Sequence, residues 1–231
     1  MKKTVVIHQP DFLPYPGFFH RFIHADLWIV LDHVQFVNSG NSWHYRDKIK
    51  TPRGAQWLSI SVKKSEMNTA INRVQLSDSI NWREKNMNLI RQNYSRAPYF
   101  NEILPFLQKL YSAPVASMME FNLLSIDMLS DLFGIKIEKV FSSTLEPKGN
   151  KNELVIDLLK KTKADVYLSG LGAKSYMKDE TFKSADIELR YQEYKHPVYP
   201  QINGEFIPNL SSIDLLFNCG ITESGKILRN C

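Results

Sequence analysis

With 231 residues, 43% of them hydrophobic, the chain is long enough to bury a substantial core in one domain. Its formal charge of +5 comes from 29 lysines and arginines spread among 24 acids, a balance that suits anionic small partners and marks no nucleic-acid-binding stripe. The two cysteines, Cys219 and Cys231, have no CxxC neighbour, which argues against a redox pair or a cysteine metal site.

The first element is an apolar strand, Thr4 to Ile7, without polar alternation, as expected for a strand buried on both faces of a parallel sheet. It runs into HQPDFLPYPGFF, a loop with three prolines and four aromatics. Pro10, Pro14 and Pro16 each fix φ and lower the entropy cost of holding one loop shape. A short helix is predicted over Gly17 to Ala25, with Phe18, Phe22 and Ala25 along one side, and a second apolar strand over residues 27 to 36. Strand, loop, helix, strand is the opening of an α/β unit.

Residues 38 to 53 read as a polar, aromatic loop, and 56 to 62 as a strand at a sheet edge. The middle is helical. Asp78 and Ser79 are cap candidates for a helix over 81 to 94, Pro98 and Pro105 punctuate the next stretch, and a long helix follows from 115 to 132, ended by Gly134. Met118, Phe121, Leu124, Met128 and Leu132 recur there at helical spacing and are expected in the core. Beyond it come a strand at 135 to 141, a helix at 153 to 161, a strand ending at Gly170, a helix starting at 171 to 177, a strand at 187 to 191, and a helix at 211 to 218 capped by Gly220. Strand–helix alternation on both sides of a helical middle predicts one α/β domain over 1–231. Its core is a mostly parallel sheet flanked by helices, Rossmann-like without the dinucleotide fingerprint, with a helical insertion at about 78–133.

Ligands of open parallel sheets bind beyond the carboxyl ends of the strands. Three polar clusters map there: His8, Gln9 and Asp11; Asp32, His33 and Gln35; and Ser169, Gly170, Gly172, Lys174, Ser175 and Tyr176. His8 reads as an acid–base or phosphate-contacting group, or as a structural histidine bonding a loop carbonyl. Tyr15 is a candidate for the pocket wall. Asp32 and His33 could form an acid–base arrangement, but no HExxH or equivalent set points to a metal. Arg46, in a patch with Trp43, His44 and Tyr45, is suited to clamp a phosphate, and Trp43 to stack on a ring. SGLGAKSY, residues 169 to 176, offers backbone amides and Lys174 to a phosphate, or is simply a strand-to-helix turn. Tyr199 and Gln201, after the YKHPVYP loop, are further candidates for lining the pocket.

Taken together, HQPDFLPYPGFF, ADLWIVLDHVQF, WHYRDKIK, YLSGLGAKSYM, YKHPVYPQ and FIPNLSSIDLLFNCG resemble, in order and spacing, the WbqC-like family of bacterial proteins, over about residues 5 to 220. The resemblance implies a context in surface polysaccharide biosynthesis, especially of O-antigen, and a transferase of glycine or another small group. It carries over to His8, Gln9, Pro14, Gly17, Asp32, Gln35, Phe36, Trp43, Arg46, Ser169, Gly170, Gly172, Tyr176, Tyr199, Gln201, Ser211 and Asp214. His33 departs from the aspartate usual in the family, and Tyr45 from a small polar residue. The first loop also resembles that of nucleotidyltransferases and pantothenate-synthesis ligases, but the Gly-His pair those need is absent, since Phe18 follows Gly17.

The expected function is therefore a transferase joining a small acyl or aminoacyl group to a nucleotide-linked amino sugar. His8, Asp32 and Gln35 would be catalytic, and Gln9, Tyr15, Trp43, Arg46, Ser169, Gly170, Gly172, Lys174, Tyr176, Tyr199 and Gln201 substrate-binding. The alternative is a noncatalytic binding or scaffold protein of the same pathway. The substrate is expected to be phosphorylated or nucleotide-linked, with partner enzymes of the pathway, no nucleic acid, and no cofactor named by the residues. No run approaches the roughly 18 apolar residues of a membrane-spanning helix and the N-terminus lacks a signal-peptide pattern, so a cytoplasmic location is expected.

Overall fold

The structure is a computed structural model that describes residues 2–38, 42–175 and 177–231. In chain order the strands are β1 (Thr4–His8), β2 (Leu27–Val30), β3 (Arg46–Thr51), β4 (Gly54–Ser59), β5 (Glu138–Phe141), β6 (Val166–Ser169) and β7 (Glu188–Tyr191). The helices are α1 (Pro16–Ile23), α2 (Trp82–Tyr94), α3 (Phe100–Tyr111), α4 (Met118–Leu132), α5 (Asn152–Lys161), α6 (Asp179–Lys183) and α7 (Ser212–Arg229).

Five strands form one sheet in the order β5-β2-β1-β6-β7, and every pair is parallel. The fold is α/β and Rossmann-like. The apolar runs without alternation are explained by burial on both faces. Val6, Trp28, Val30 and Leu168 join a large core with α1, the helices α2 to α4, and α7. Val5, Ile7, Leu27, Ile29 and Tyr167 point the other way, against Val155, Leu158 and Leu159 of α5 and Phe182 of α6. The helical middle is α2 to α4.

Several elements differ from their sequence expectation. The expected loop 38 to 53 contains β3, which pairs antiparallel with β4 in a separate two-stranded sheet. Two lysines and an arginine disguised it: Asp47, Ile49 and Thr51 alternate toward the interior, while Arg46 and Lys48 are half-buried. The strand expected at 27 to 36 stops at Val30, and the one expected at 56 to 62 is β4, two residues earlier and ending at Ser59. Helix α3 runs through Pro105 instead of breaking there. Pro105 and Asn101 lie on the exposed face of α3, so the Asn101 carbonyl that loses its amide partner is open to water, while Ile103, Leu107 and Leu110 hold the other face in the core.

The long helix expected from 115 begins at Met118 as α4, capped by Ser117, whose hydroxyl accepts from Glu120 N. Leu124 is 39% exposed, so the buried stripe is Met118, Phe121, Ser125, Ile126, Leu129 and Leu132. The helix expected at 171 to 177 is a single 3₁₀ turn, Leu171–Ala173, with α6 beginning at Asp179. Helix α7 does not end at Gly220 but breaks there and resumes. Gly220 has φ +72°, and a β-carbon on it would stand 2.6 Å from the Tyr99 ring, so both the backbone and the packing demand glycine.

Candidate functional site

The strand order reverses between β1 and β6: from β1 the chain moves outward to β2 and β5, and from β6 to β7 on the other side. Open sheets of this kind bind ligands at that switch point, outside the carboxyl ends. Here those ends are His8 and Ser169, and a cleft of about 820 Å³ opens over them. That volume suits a small-molecule ligand.

The loop after β1 builds one wall. Pro10 and Leu13 carbonyls accept from Asn122 Nδ2 at 2.8 Å and Ser211 Oγ at 2.7 Å, and Phe12 N donates to Trp43 O at 2.9 Å. Phe12, Phe18 and Phe19 are fully buried core residues. Of the loop's four aromatics, Tyr15 is the one that lines the cleft. Its ring lies across Gly17, where a β-carbon would come within 2.3 Å of it. Gly17→Ala is expected to cost about 1–3 kcal/mol through overpacking. Adding Tyr15→Ala should recover much of that loss, a coupling read by chemical denaturation of both single variants and the double.

His8 Nδ1 is 2.8 Å from the Gln9 carbonyl, so it carries the hydrogen, and Nε2 keeps the lone pair. Burial, reinforced by the Arg21 charge, lowers the His8 pKa to about 3, and the imidazole is neutral. Gln9 Oε1 is 2.7 Å from His44 Nε2, whose other nitrogen is 3.1 Å from Ser42 Oγ. An amide oxygen only accepts, so His44 is the Nε2–H tautomer and Ser42 donates to it. Burial lowers His44 to about 4.

Arg21 reaches the cleft from the second turn of α1. It is 5% exposed, its side chain makes no hydrogen bond or ion pair among the described residues, and its Nε is buried without a partner. Its guanidinium lies 5.6 Å from the Phe18 ring centroid. A β-carbon at Gly170 would stand 3.5 Å from Nη1, so the guanidinium sits beside the turn that follows β6. Asp11 and Asp47, 8% and 2% exposed, also line the cleft. Burial raises Asp11 to about 7, opposed by Arg21, and raises Asp47 well above the carboxylate range. The nearest histidine contact of Asp11 is His8 Nδ1 at 3.6 Å, and Asp47 Oδ1 accepts from Lys48 N at 2.6 Å. Gln192, at the end of β7, closes the floor by donating to Gly17 O at 2.8 Å.

The pH consequence follows from the direction of these shifts. Between about pH 4 and 7 the unfolded chain gives up the Asp11 proton before the folded one, so this group makes stability fall as pH rises through that window. His8 acts oppositely, since below about 6.5 the unfolded chain takes up a proton that the folded one refuses. Asp11→Asn is expected to raise the melting temperature at pH 8 and leave it unchanged near pH 4, as read from melts across that range.

Of the expected site residues, His8, Gln9, Tyr15, Trp43, Ser169, Gly170 and Gly172 converge on the cleft. Tyr176 lies outside the described residues. Asp32 does not reach the cleft: its carboxylate accepts from Ser142 Oγ, Ser143 N, Ser143 Oγ and Asn72 Nδ2 at 2.6–3.1 Å. Burial opposes its ionisation, but those bonds outweigh it and lower the pKa. With every lone pair engaged, Asp32 pins the end of β2 to the turns at 71–73 and 142–145. Asp32→Ala is expected to cost about 2–4 kcal/mol of folding free energy, measured by denaturant titration, with ligand affinity intact. His33 joins the same cluster, Nδ1 at 2.6 Å from Ser142 Oγ.

Gln35 is exposed and bridges to Ala70, away from the cleft. Arg46 lies over the Trp57 ring at 4.2 Å and near Tyr45 at 5.4 Å, also outside the cleft. Lys174 is exposed and sits 5.7 Å from the Tyr191 ring centroid. Tyr199 and Gln201 bind Asp214 Oδ2 in the interior, at 2.9 and 2.8 Å. Three or more His, Cys, Asp or Glu do not gather as a metal set among the described residues.

The family model of the WbqC-like protein family matches residues 9–225. The chain belongs to the WbqC-like family. This WbqC-like chain is also 30% identical to the uncharacterized protein Rv1507c of Mycobacterium tuberculosis, over 234 aligned positions covering 100% of the chain and 99% of that protein. No solved structure matches the chain. Among the described residues no helix is long and apolar enough to cross a membrane.

Proposed function

We propose that this WbqC-like protein is a transferase of surface polysaccharide biosynthesis, joining a small acyl or aminoacyl group to the amino group of a nucleotide-linked sugar. The observation that carries this reading is the buried Arg21 guanidinium, unpaired among the described residues, in a ligand-sized cleft at the switch point. A buried charge without a partner is costly, and a phosphate bound there would satisfy it. The polar turn Ser169 to Gly172 beside it completes the anion end. In the reaction, the sugar nitrogen forms the new amide bond as the leaving group departs from the acyl carbon. The nitrogen's proton passes to His8 Nε2 and on to the leaving group.

The test is incubation with nucleotide amino sugars and acyl donors, followed by mass spectrometry for the N-acylated product. His8→Ala should then lower turnover by about 10²–10⁴-fold. Absence of product with every donor, alongside firm nucleotide-sugar binding, would replace this reading by a noncatalytic binding protein. The low proton affinity of His8, pKa about 3, is the observation that favours that second reading.

A further inference from the structure

The cleft holds a buried guanidinium and two buried carboxyl groups that are not paired with one another. Arg21 is nine-tenths buried, lines the cleft, and has an unpartnered Nε. Two carboxyl groups that line the same cleft are, among the described residues, equally without an opposite charge beside them. Asp47 is 2% exposed and accepts a hydrogen bond from the backbone amide of its own neighbour Lys48. Asp11 is 8% exposed and has the neutral His8 at 3.6 Å. No Lys or Arg lies within 4 Å of either carboxylate among the described residues, the ion pairs of the fold lying elsewhere. Lys48, next in sequence to Asp47, has its ammonium 4.8 Å from the Trp57 ring centroid, on the outer side of β3. The charges are near enough to act on one another: Asp11 disfavours ionisation of Asp47, and Arg21 favours that of Asp11.

A fold would gain from pairing Arg21 directly with one of these acids, and an Arg–carboxylate pair is among the strongest polar contacts available. The structure keeps them separate and buried, an arrangement with a desolvation cost that ligand charges would offset. We infer that the ligand is doubly charged, with an anionic group at Arg21 and the Gly170 turn and a cationic amine held between Asp11 and Asp47. This rests on the transferase reading for the site but not on its chemistry. It assigns the acceptor amine to a carboxylate pair, with His8 3.6 Å from Asp11 and near enough to Arg21 to respond to its charge. Once the amine is bound, either carboxylate of this pair can take its surplus proton, because burial raises the proton affinity of both, and the nitrogen lone pair is then free for attack.

The experiment is calorimetric titration of the full chain near pH 7 with uridine, thymidine and guanosine diphosphate sugars, each as the amino sugar and as its hydroxyl counterpart. In at least one pair the amine should bind about tenfold tighter or better. Asp47→Asn, an isosteric change at a group that is not ion-paired among the described residues, should abolish that preference, bringing amine and hydroxyl sugar to equal affinity. Arg21→Met should weaken both members of the pair alike. Wild-type protein titrated in two buffers of different ionisation enthalpy gives a second readout free of any folding defect. Near pH 7 burial favours the protonated form of Asp47 and leaves Asp11 partly protonated in the empty cleft, whereas an ammonium favours both carboxylates, so binding the amine should release up to about one proton. Equal affinity for amine and hydroxyl, no proton release, or no binding in any pair would overturn the inference. Amine-selective binding without product for any donor would instead count against the transferase reading and leave the charge assignment standing.

Discussion

Arg21→Met is expected to raise the Kd for nucleotide-linked ligands by about 100-fold or more, the loss of roughly 3 kcal/mol from a charge-assisted, desolvated contact. Methionine keeps the length and apolar stem of the side chain, so the packing on Phe18 is conserved. The empty protein should not suffer. In the free fold the guanidinium has no ion-pair partner among the described residues and its Nε is unsatisfied, so replacing it removes a cost. The signature is therefore opposed: a higher melting temperature without ligand and a lost melting shift with it. Arg21→Lys should recover part of the affinity through charge alone, since an ammonium cannot reproduce the planar fork. A protein destabilised by Arg21→Met would mean that the side chain is a structural strut.

The second large effect lies outside the cleft. Asp214→Ala is expected to destabilise the fold by about 4–5 kcal/mol, a major share of the 5–15 kcal/mol that holds a typical domain. Asp214 is fully buried at the start of α7. Its Oδ1 accepts from Tyr94 OH at 2.7 Å, and its Oδ2 from Tyr199 OH and Gln201 Nε2. Gln201 Oε1 in turn accepts from Lys50 Nζ at 3.0 Å, and that ammonium also donates to the carbonyls of Gly204 and Glu205. Tyr94 OH closes the circuit by accepting from Lys50 N at 3.0 Å. One carboxylate thus ties β3, α2, the loop at 199–205 and α7 together. Truncation strands two phenols and an amide where water does not reach. Asp214→Asn keeps an acceptor oxygen and should cost about half as much or less. Urea unfolding of the three proteins gives the order, and a similar stability for Asp214→Ala and wild type would dismiss the network as incidental.

The same two residues show what was legible in the chain. Apolar runs without alternation announced a parallel sheet because both faces are covered, and the polar termini of β1 and β6 announced the cleft. Seven of the catalytic and substrate-binding residues expected from sequence do line it, and they share one property: each ends a strand or belongs to the loop leaving one. Arg21, Asp47 and Gln192 were not legible in that way. Arg21 stands in a helix that reads as core plus a solvated cation, and only the third dimension shows that the cation faces β6 rather than solvent. Asp47 was hidden between Arg46 and Lys48, where its neighbours made the segment look like a charged loop. The signal available was the period of two in Asp47, Ile49 and Thr51, which places an acid on the buried face of a strand. Asp32, Arg46, Tyr199 and Gln201 carry the right chemistry for a site, but the fold commits it to internal partners: the Trp57 ring for Arg46, Asp214 for Tyr199 and Gln201, and distant serines for Asp32. A carboxylate saturated by serines 110 and 111 residues away cannot be told from a catalytic one until the contact is seen.

The most direct test of the account is an amide chemical-shift map of the isotopically labelled protein titrated with uridine, thymidine and guanosine diphosphate sugars. The account predicts saturable shifts at Gln9, Tyr15, Gly17, Arg21, Gly170 and Gly172, absent in Arg21→Met, with the amides around Asp32 and Asp214 unmoved. Shifts confined to other surfaces, shifts at the cleft that survive Arg21→Met, or none up to millimolar ligand would contradict it.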